Sequence, residues 1–177
     1  MNLTDAILGN SEAQAERWLR KQEKRPVYLK SWRTPERQRM LRIGYNLTLA
    51  LGVLTAIVCF FWLPATFAWV FFTIAVCTIW IMMRATIDEK DTAPAAALDE
   101  YENQVLNTWR SLAFGVATTL FTALAVAMMV LAVMNPDNLR AYLYSLSLLT
   151  LVTLFSLISL PVFGYSLAFY PTQPQED

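Results

Sequence analysis

The chain has 177 residues, 56% of them hydrophobic and 16% charged, with 14 Lys and Arg against 14 Asp and Glu. So low a charge content argues against an ordinary soluble domain, where about 25% is usual. The absence of histidine removes the commonest general base and the commonest metal ligand.

The neutral total is unevenly spread. Residues 1–42 hold ten Lys and Arg against five Asp and Glu, whereas residues 84–110 hold three against six. The first apolar run, Ala6-Ile7-Leu8, is too short for the core of a signal peptide and has no basic residue before it, so none is expected. Residues 3–8 read as a short helical turn ended by Gly9. Ser11 with Gln14 resembles a capping box and starts a helix through about Lys24, which Pro26 ends. This basic arm interleaves its charges with Trp18, Tyr28 and Trp32. Such a segment suits nucleic acid in the abstract. Placed before an apolar span, it suits an anionic lipid surface better, where each Lys or Arg gains ~1 kcal/mol. Lipid contact is expected, and nucleic acid is not.

Thr34-Pro35-Glu36 supplies a cap, a first-turn proline and an early acid, and the helix it opens runs through Arg37, Arg39 and Arg42 into the membrane. From Ile43 to Met83 there is no charged residue. As one straight helix that stretch would be roughly 60 Å long, about twice the hydrocarbon thickness of a bilayer. Pro64, near its middle, breaks it into a hairpin with spans near Ile43–Leu63 and Phe67–Met83. Cys59 and Cys77 fall about 10 Å apart in depth on these two helices, too far for a disulfide, and read as small apolar residues.

Arg84 opens a polar loop. A further helix begins after Pro94, with Asp99 and Glu100 in its early turns favouring the macrodipole, and with Leu98, Tyr101, Val105 and Trp109 sharing one face. Past Arg110 it becomes the third span, Ser111–Met134. Asn135-Pro136-Asp137-Asn138 marks a turn, and the fourth span starts near Ala141 with no further charge until Glu176. That helix is too long for one crossing and is expected to tilt, protrude or bend near Pro161 and Gly164. Trp62, Trp69, Trp80, Trp109, Tyr142 and Tyr170 fall near the expected interfaces.

The fold class is therefore all-α: four transmembrane helices in two hairpins with a basic N-terminal amphipathic arm. The chain divides into the arm (1–42), hairpin 1 (43–83), the acidic loop and helix (84–110), hairpin 2 (111–170) and a tail (171–177). The arm and the 84–110 loop carry 13 of the 14 basic residues, so both termini and that loop are expected on the cytoplasmic side. Arg37, Arg39, Arg42, Arg84 and Arg110 are the expected membrane-surface residues.

Small residues recur every fourth position at Ser111, Gly115, Thr119, Ala123 and Ala127, and again at Thr48, Gly52 and Ala56. Such stripes let helices approach closely, and the two are expected to meet each other within the bundle in preference to a partner protein. The hydroxyls Ser145, Ser147, Thr150, Thr153, Ser156 and Ser159 wind around the fourth span instead of lining one face, so hydrogen bonds to their own backbone are expected. The acids Asp88, Glu89, Asp91, Asp99, Glu100 and Glu102 match no EF-hand spacing and are expected to form a solvated face, not a metal site. No catalytic residue, cofactor or small-molecule substrate is expected. Neither cysteine has a basic neighbour to lower its pKa, and the spans carry none of the ionisable residues on which proton relays depend.

Leu98-Asp99-Glu100-Tyr101-Glu102, followed by Trp109-Arg110 and a span, resembles a pattern in small uncharacterised actinobacterial membrane proteins, where an acidic LDE-type helix leads into the third of about four spans. The resemblance covers about a dozen residues and brings no catalytic residue with it. It implies an add-on subunit of a bacterial membrane complex, including respiratory ones. The expected function is a non-catalytic accessory or assembly subunit whose partners are membrane lipids and other membrane-protein subunits. The alternative is a small transporter, channel or holin-like permeabiliser using the hydroxyl-rich fourth span.

Overall fold

The computed structural model describes residues 3–23 and 29–171. Among them are five α-helices, short 3₁₀ turns and no strand: α1 (Leu3–Glu23), α2 (Pro35–Cys59), α3 (Ala68–Thr86), α4 (Glu100–Met134) and α5 (Leu139–Phe169). The segments Pro35–Cys59, Leu63–Thr86, Glu100–Met134 and Leu139–Phe169 are each long and apolar enough to cross a membrane. The chain is an all-α bundle that fits a multi-pass membrane protein.

The local chemistry explains most of the boundaries. Thr34 precedes Pro35 at the start of α2, where the missing proline N–H costs nothing, although the Thr34 side chain makes no cap hydrogen bond. The α2 helix ends at Cys59, four residues before the expected Leu63. Pro64 sits instead inside a 3₁₀ turn, Leu63–Phe67, that leads into α3. Asp99 and Glu102 cap α4 reciprocally: Asp99 Oδ1 accepts from the Glu102 N–H at 2.7 Å, and Glu102 Oε2 accepts from the Asp99 N–H at 3.5 Å. Asn135 ends α4 with φ 42° and ψ 58°, a left-handed residue whose N–H donates to the Leu131 carbonyl. One expectation changes. The arm helix is one piece, because a single glycine costs a helix only about 1 kcal/mol and Gly9 does not stop it. The α5 helix runs on as one helix through Pro161. The expected arm end near Lys24 and Pro26, Tyr28, and the tail beyond Pro171 lie outside the described residues.

Helices α2, α3 and α5 pack together, and α4 lies against α5. Their core is built around Tyr45, Val76, Met83, Leu106 and Val162, all fully buried. Tyr45 donates to the Phe155 carbonyl at 2.8 Å and so ties α2 to α5. A second, smaller cluster joins Ala56 and Cys59 of α2 to Leu148 of α5. From Asn107 to Met134, α4 buries no residue at all.

Candidate functional site

Arg33, Arg42, Arg84, Asp88, Lys90, Asp91, Glu102 and Arg110 meet at the end of the bundle where the arm, the 84–99 loop and the first turns of α4 reach the last turns of α5. Three hydrogen-bonded groups make up this junction. In the first, Gln38 and Arg42 lie one turn apart on α2, both buried. Arg42 Nη1 donates to the Ser166 carbonyl at 3.0 Å and to Ser166 Oγ at 2.8 Å. Ser166 Oγ donates to Gln38 Oε1 at 3.0 Å, and Gln38 Nε2 donates to the Trp32 carbonyl at 3.1 Å. Ser166 lies in the last turn of α5, so the guanidinium sits at the negative end of that helix dipole, which stabilises a cation. A buried arginine is satisfied there without a carboxylate.

The second group centres on Glu102, whose side chain is 8% exposed. It accepts from Tyr165 Oη at 2.6 Å and pairs with Lys90, whose ammonium also lies 5.6 Å from the Tyr165 ring centroid. The third group joins Arg84 to Asp91 at 3.0 Å and to Thr92 Oγ1 at 3.0 Å, while Arg110 donates to the Asp91 carbonyl at 2.6 Å. The Arg84 guanidinium also covers the Trp80 ring at 5.0 Å. Burial raises the Asp91 pKa above the usual carboxylate range, and Arg84 opposes that shift without cancelling it. Beside this group, Arg33 pairs with the Asp88 carboxylate, and Gln22 Nε2 donates to the Asp88 carbonyl at 2.6 Å.

Helix α4 is fixed at the same end by close packing. Gly164 of α5 faces Trp109, and a methyl group built on Gly164 would fall far inside van der Waals contact with ring atoms Cδ1, Cγ and Nε1. An open groove of about 430 Å³ beside this contact is lined by Tyr101, Gln104, Thr108 and Leu167, among others.

The sequence-predicted residues divide accordingly. Arg84 and Arg110 stand at the junction, half-buried, and Arg37 is exposed, with its guanidinium 5.5 Å from the Trp32 ring centroid. Arg39 is exposed. Arg42 is a correction: it is buried under the end of α5, because a carbonyl and a hydroxyl there replace the water a surface arginine would use. The acidic loop is a second correction. Asp88, Asp91, Asp99 and Glu102 are engaged by Arg33, Arg84, a helix cap and Lys90, so this is a paired surface and not merely a solvated one. Among the described residues, no group of three or more Cys, Asp or Glu is arranged to hold a metal.

The small-residue stripes give the third correction. Gly52 packs on the Phe72 ring of α3, and Ala56 is buried beside Leu148 of α5. Thr48 is half-buried and donates to the Gly44 carbonyl at 2.8 Å. Ser111, Gly115, Thr119 and Ala123 are exposed, Ala127 is half-buried, and nothing approaches within 4 Å of a Cβ built on Gly115. The two faces do not meet, because the bulky Phe72 takes the space that Gly52 leaves.

Four of the six fourth-span hydroxyls bond their own helix as expected, and Ser145 does not. Ser147, Thr150, Ser156 and Ser159 donate to carbonyls of their own helix at 2.8–2.9 Å, while Ser145 Oγ is buried without a hydrogen-bond partner among the described residues. Sequence reasoning missed Gln38, Lys90, Tyr165 and Ser166. The i,i+4 pairing of Gln38 with Arg42 on a helix entering an apolar span was a usable signal, as was the Asp99-x-x-Glu102 capping spacing.

Chemically, the junction is a set of matched charges and hydrogen bonds, and it joins four segments of the chain at one end. No family model, curated protein or solved structure matches this chain.

Proposed function

We propose that this chain is a non-catalytic accessory or assembly subunit of a larger bacterial inner-membrane complex, with both termini and the 84–110 loop in the cytoplasm. The observation that carries the reading is the condition of α4. Over Asn107–Met134 it buries nothing, while its small-residue face Ser111–Gly115–Thr119–Ala123 points away from the bundle. Helices in a membrane associate by close van der Waals packing of such faces, and this one is unused inside the chain. The charged groups support the same reading, because Glu102, Asp91 and Arg42 are engaged in holding the fold. So do Ser147, Thr150, Ser156 and Ser159 of the fourth span, which bond their own backbone instead of offering their hydroxyls to a permeating solute. The Lys and Arg of the arm and the 84–110 loop support a cytoplasmic junction by the positive-inside rule. The LDE-type resemblance points to respiratory complexes as the first assemblies to examine.

Purification in mild detergent from cells expressing the chain at native level tests this directly. A stoichiometric membrane-protein partner that co-migrates with it is expected. A lone, monodisperse 20.1 kDa species would overturn the reading.

A further inference from the structure

At the end of the bundle opposite the junction, the α2–α3 connection and the α4–α5 turn enclose a cleft of about 290 Å³. The first contributes Phe60, Phe61 and Leu63, and the second Asp137, Asn138 and Arg140. Phe60 is held against Tyr142 of α5, with ring centroids 5.6 Å apart. Asp137 and Arg140 carry opposite charges into this one space, yet neither pairs with the other or with any other described residue. Arg140 is the only basic residue outside the arm and the 84–110 loop. It stands in the first turn of α5, at the positive end of the helix dipole, with no acidic residue in that turn and no side-chain cap from Asn138. A cation in that place gains from an anion that no protein group supplies. The cleft lies where the spans end, and Phe61, Trp62, Phe67 and Met134 around it are strongly exposed. Aromatic and apolar side chains of this kind suit the headgroup boundary of a bilayer, so the molecule at hand for the cleft is a lipid.

We propose that this cleft seats the headgroup of an aminophospholipid of the phosphatidylethanolamine class. The phosphodiester meets Arg140 and the Asn138 amide, the primary ammonium meets Asp137, and the acyl chains remain in the surrounding bilayer. Charge complementarity selects this class among membrane lipids. An anionic lipid without an amine satisfies Arg140 but is repelled by Asp137. A choline headgroup brings a quaternary ammonium with no N–H to donate, so it forgoes the charge-assisted hydrogen bond that a primary ammonium makes to a carboxylate.

The test is native mass spectrometry of the full chain in mild detergent, titrated with dioleoyl phosphatidylethanolamine, phosphatidylcholine or phosphatidylglycerol. Wild type is expected to retain phosphatidylethanolamine about fivefold better than either of the others, the scale of one exposed ion pair. Asp137→Asn is expected to bring phosphatidylethanolamine down to the level of phosphatidylcholine and to leave phosphatidylcholine unchanged. Arg140→Gln is expected to weaken all three, through the phosphate that they share. Both side chains are exposed, so neither change disturbs the packing of the bundle. Equal retention of the three lipids by wild type would overturn the proposal. So would a preference for phosphatidylethanolamine that survives Asp137→Asn, or binding that Arg140→Gln leaves untouched.

Discussion

Replacing Gly164 with alanine adds one methyl group at the point where α4 leans on α5. Carbon atoms of neighbouring side chains rest about 3.5–4.0 Å apart, and the new Cβ would lie well inside that distance from the Trp109 ring. Atoms Cγ and Cδ1 are close to the backbone of Trp109, so the ring cannot escape by a small swing of its far end. Either Trp109 leaves its place or α4 backs away from α5. Backing away would stretch the Tyr165–Glu102 hydrogen bond, formed by the residue after Gly164 and a residue two turns before Trp109. Overpacking of this kind costs about 1–3 kcal/mol. The gain in helix propensity from glycine to alanine returns up to about 1 kcal/mol. A net loss of about 1–2 kcal/mol follows. The assay is unfolding of the purified chain in mixed micelles, followed by tryptophan fluorescence, in a double-mutant cycle with Trp109→Ala. Coupling beyond the ~0.5 kcal/mol usual for independent sites is expected. A Gly164→Ala variant as stable as wild type, or an additive cycle, would refute the packing argument.

Three further outcomes follow from the same geometry. Gly115→Ala meets no neighbour, so the isolated chain should hold or gain up to about 1 kcal/mol in the same unfolding assay, while co-purification of a partner through that face should weaken. Asn135→Gly should leave stability within a few tenths of a kcal/mol, whereas Asn135→Ala should cost about 1 kcal/mol, because only the former takes φ 42° without strain. The two buried carboxylates each hold a cation. Glu102→Gln leaves Lys90, and Asp91→Asn leaves Arg84, without its counter-charge, so each should cost about 1–3 kcal/mol at neutral pH. The pH dependence at Asp91 follows from linkage. Its folded pKa lies above the unfolded one, so its contribution to stability improves as pH falls through that raised value and worsens as pH rises through it. Unfolding measured against pH should show this slope in wild type, and Asp91→Asn should lack it.

The lengths and ends of the spans were legible because they depend on local chemistry. An uncharged run of known length, a proline near its middle and an Asn-Pro-Asp-Asn turn each determine structure without reference to anything distant. The contacts were less legible. Periodicity puts Ser111, Gly115 and Thr119 on one face of a helix, but it does not say which helix that face meets, and Phe72 had already filled the facing notch at Gly52. Arg42 looked like a membrane-surface anchor because its sequence neighbours are basic. Its real environment is set by Ser166, 124 residues away in sequence. The acids of the loop look solvated for the same reason: the Lys90 ammonium and the Tyr165 hydroxyl, 63 residues away in sequence, meet at the same oxygen of Glu102 only once the chain has folded. Gly9 does not stop α1, since one glycine is a modest cost that a 21-residue helix absorbs.

The central claim is that the outward face of α4 receives another membrane subunit. A photoreactive residue placed at Ala123, on that face, and another at Ser147, exposed on α5, would distinguish it from general lipid exposure. In cells at native expression, the account predicts a discrete crosslinked product from position 123, formed with the same protein that co-purifies in stoichiometric amount, and none from position 147. Crosslinking to lipid alone from both positions would contradict it.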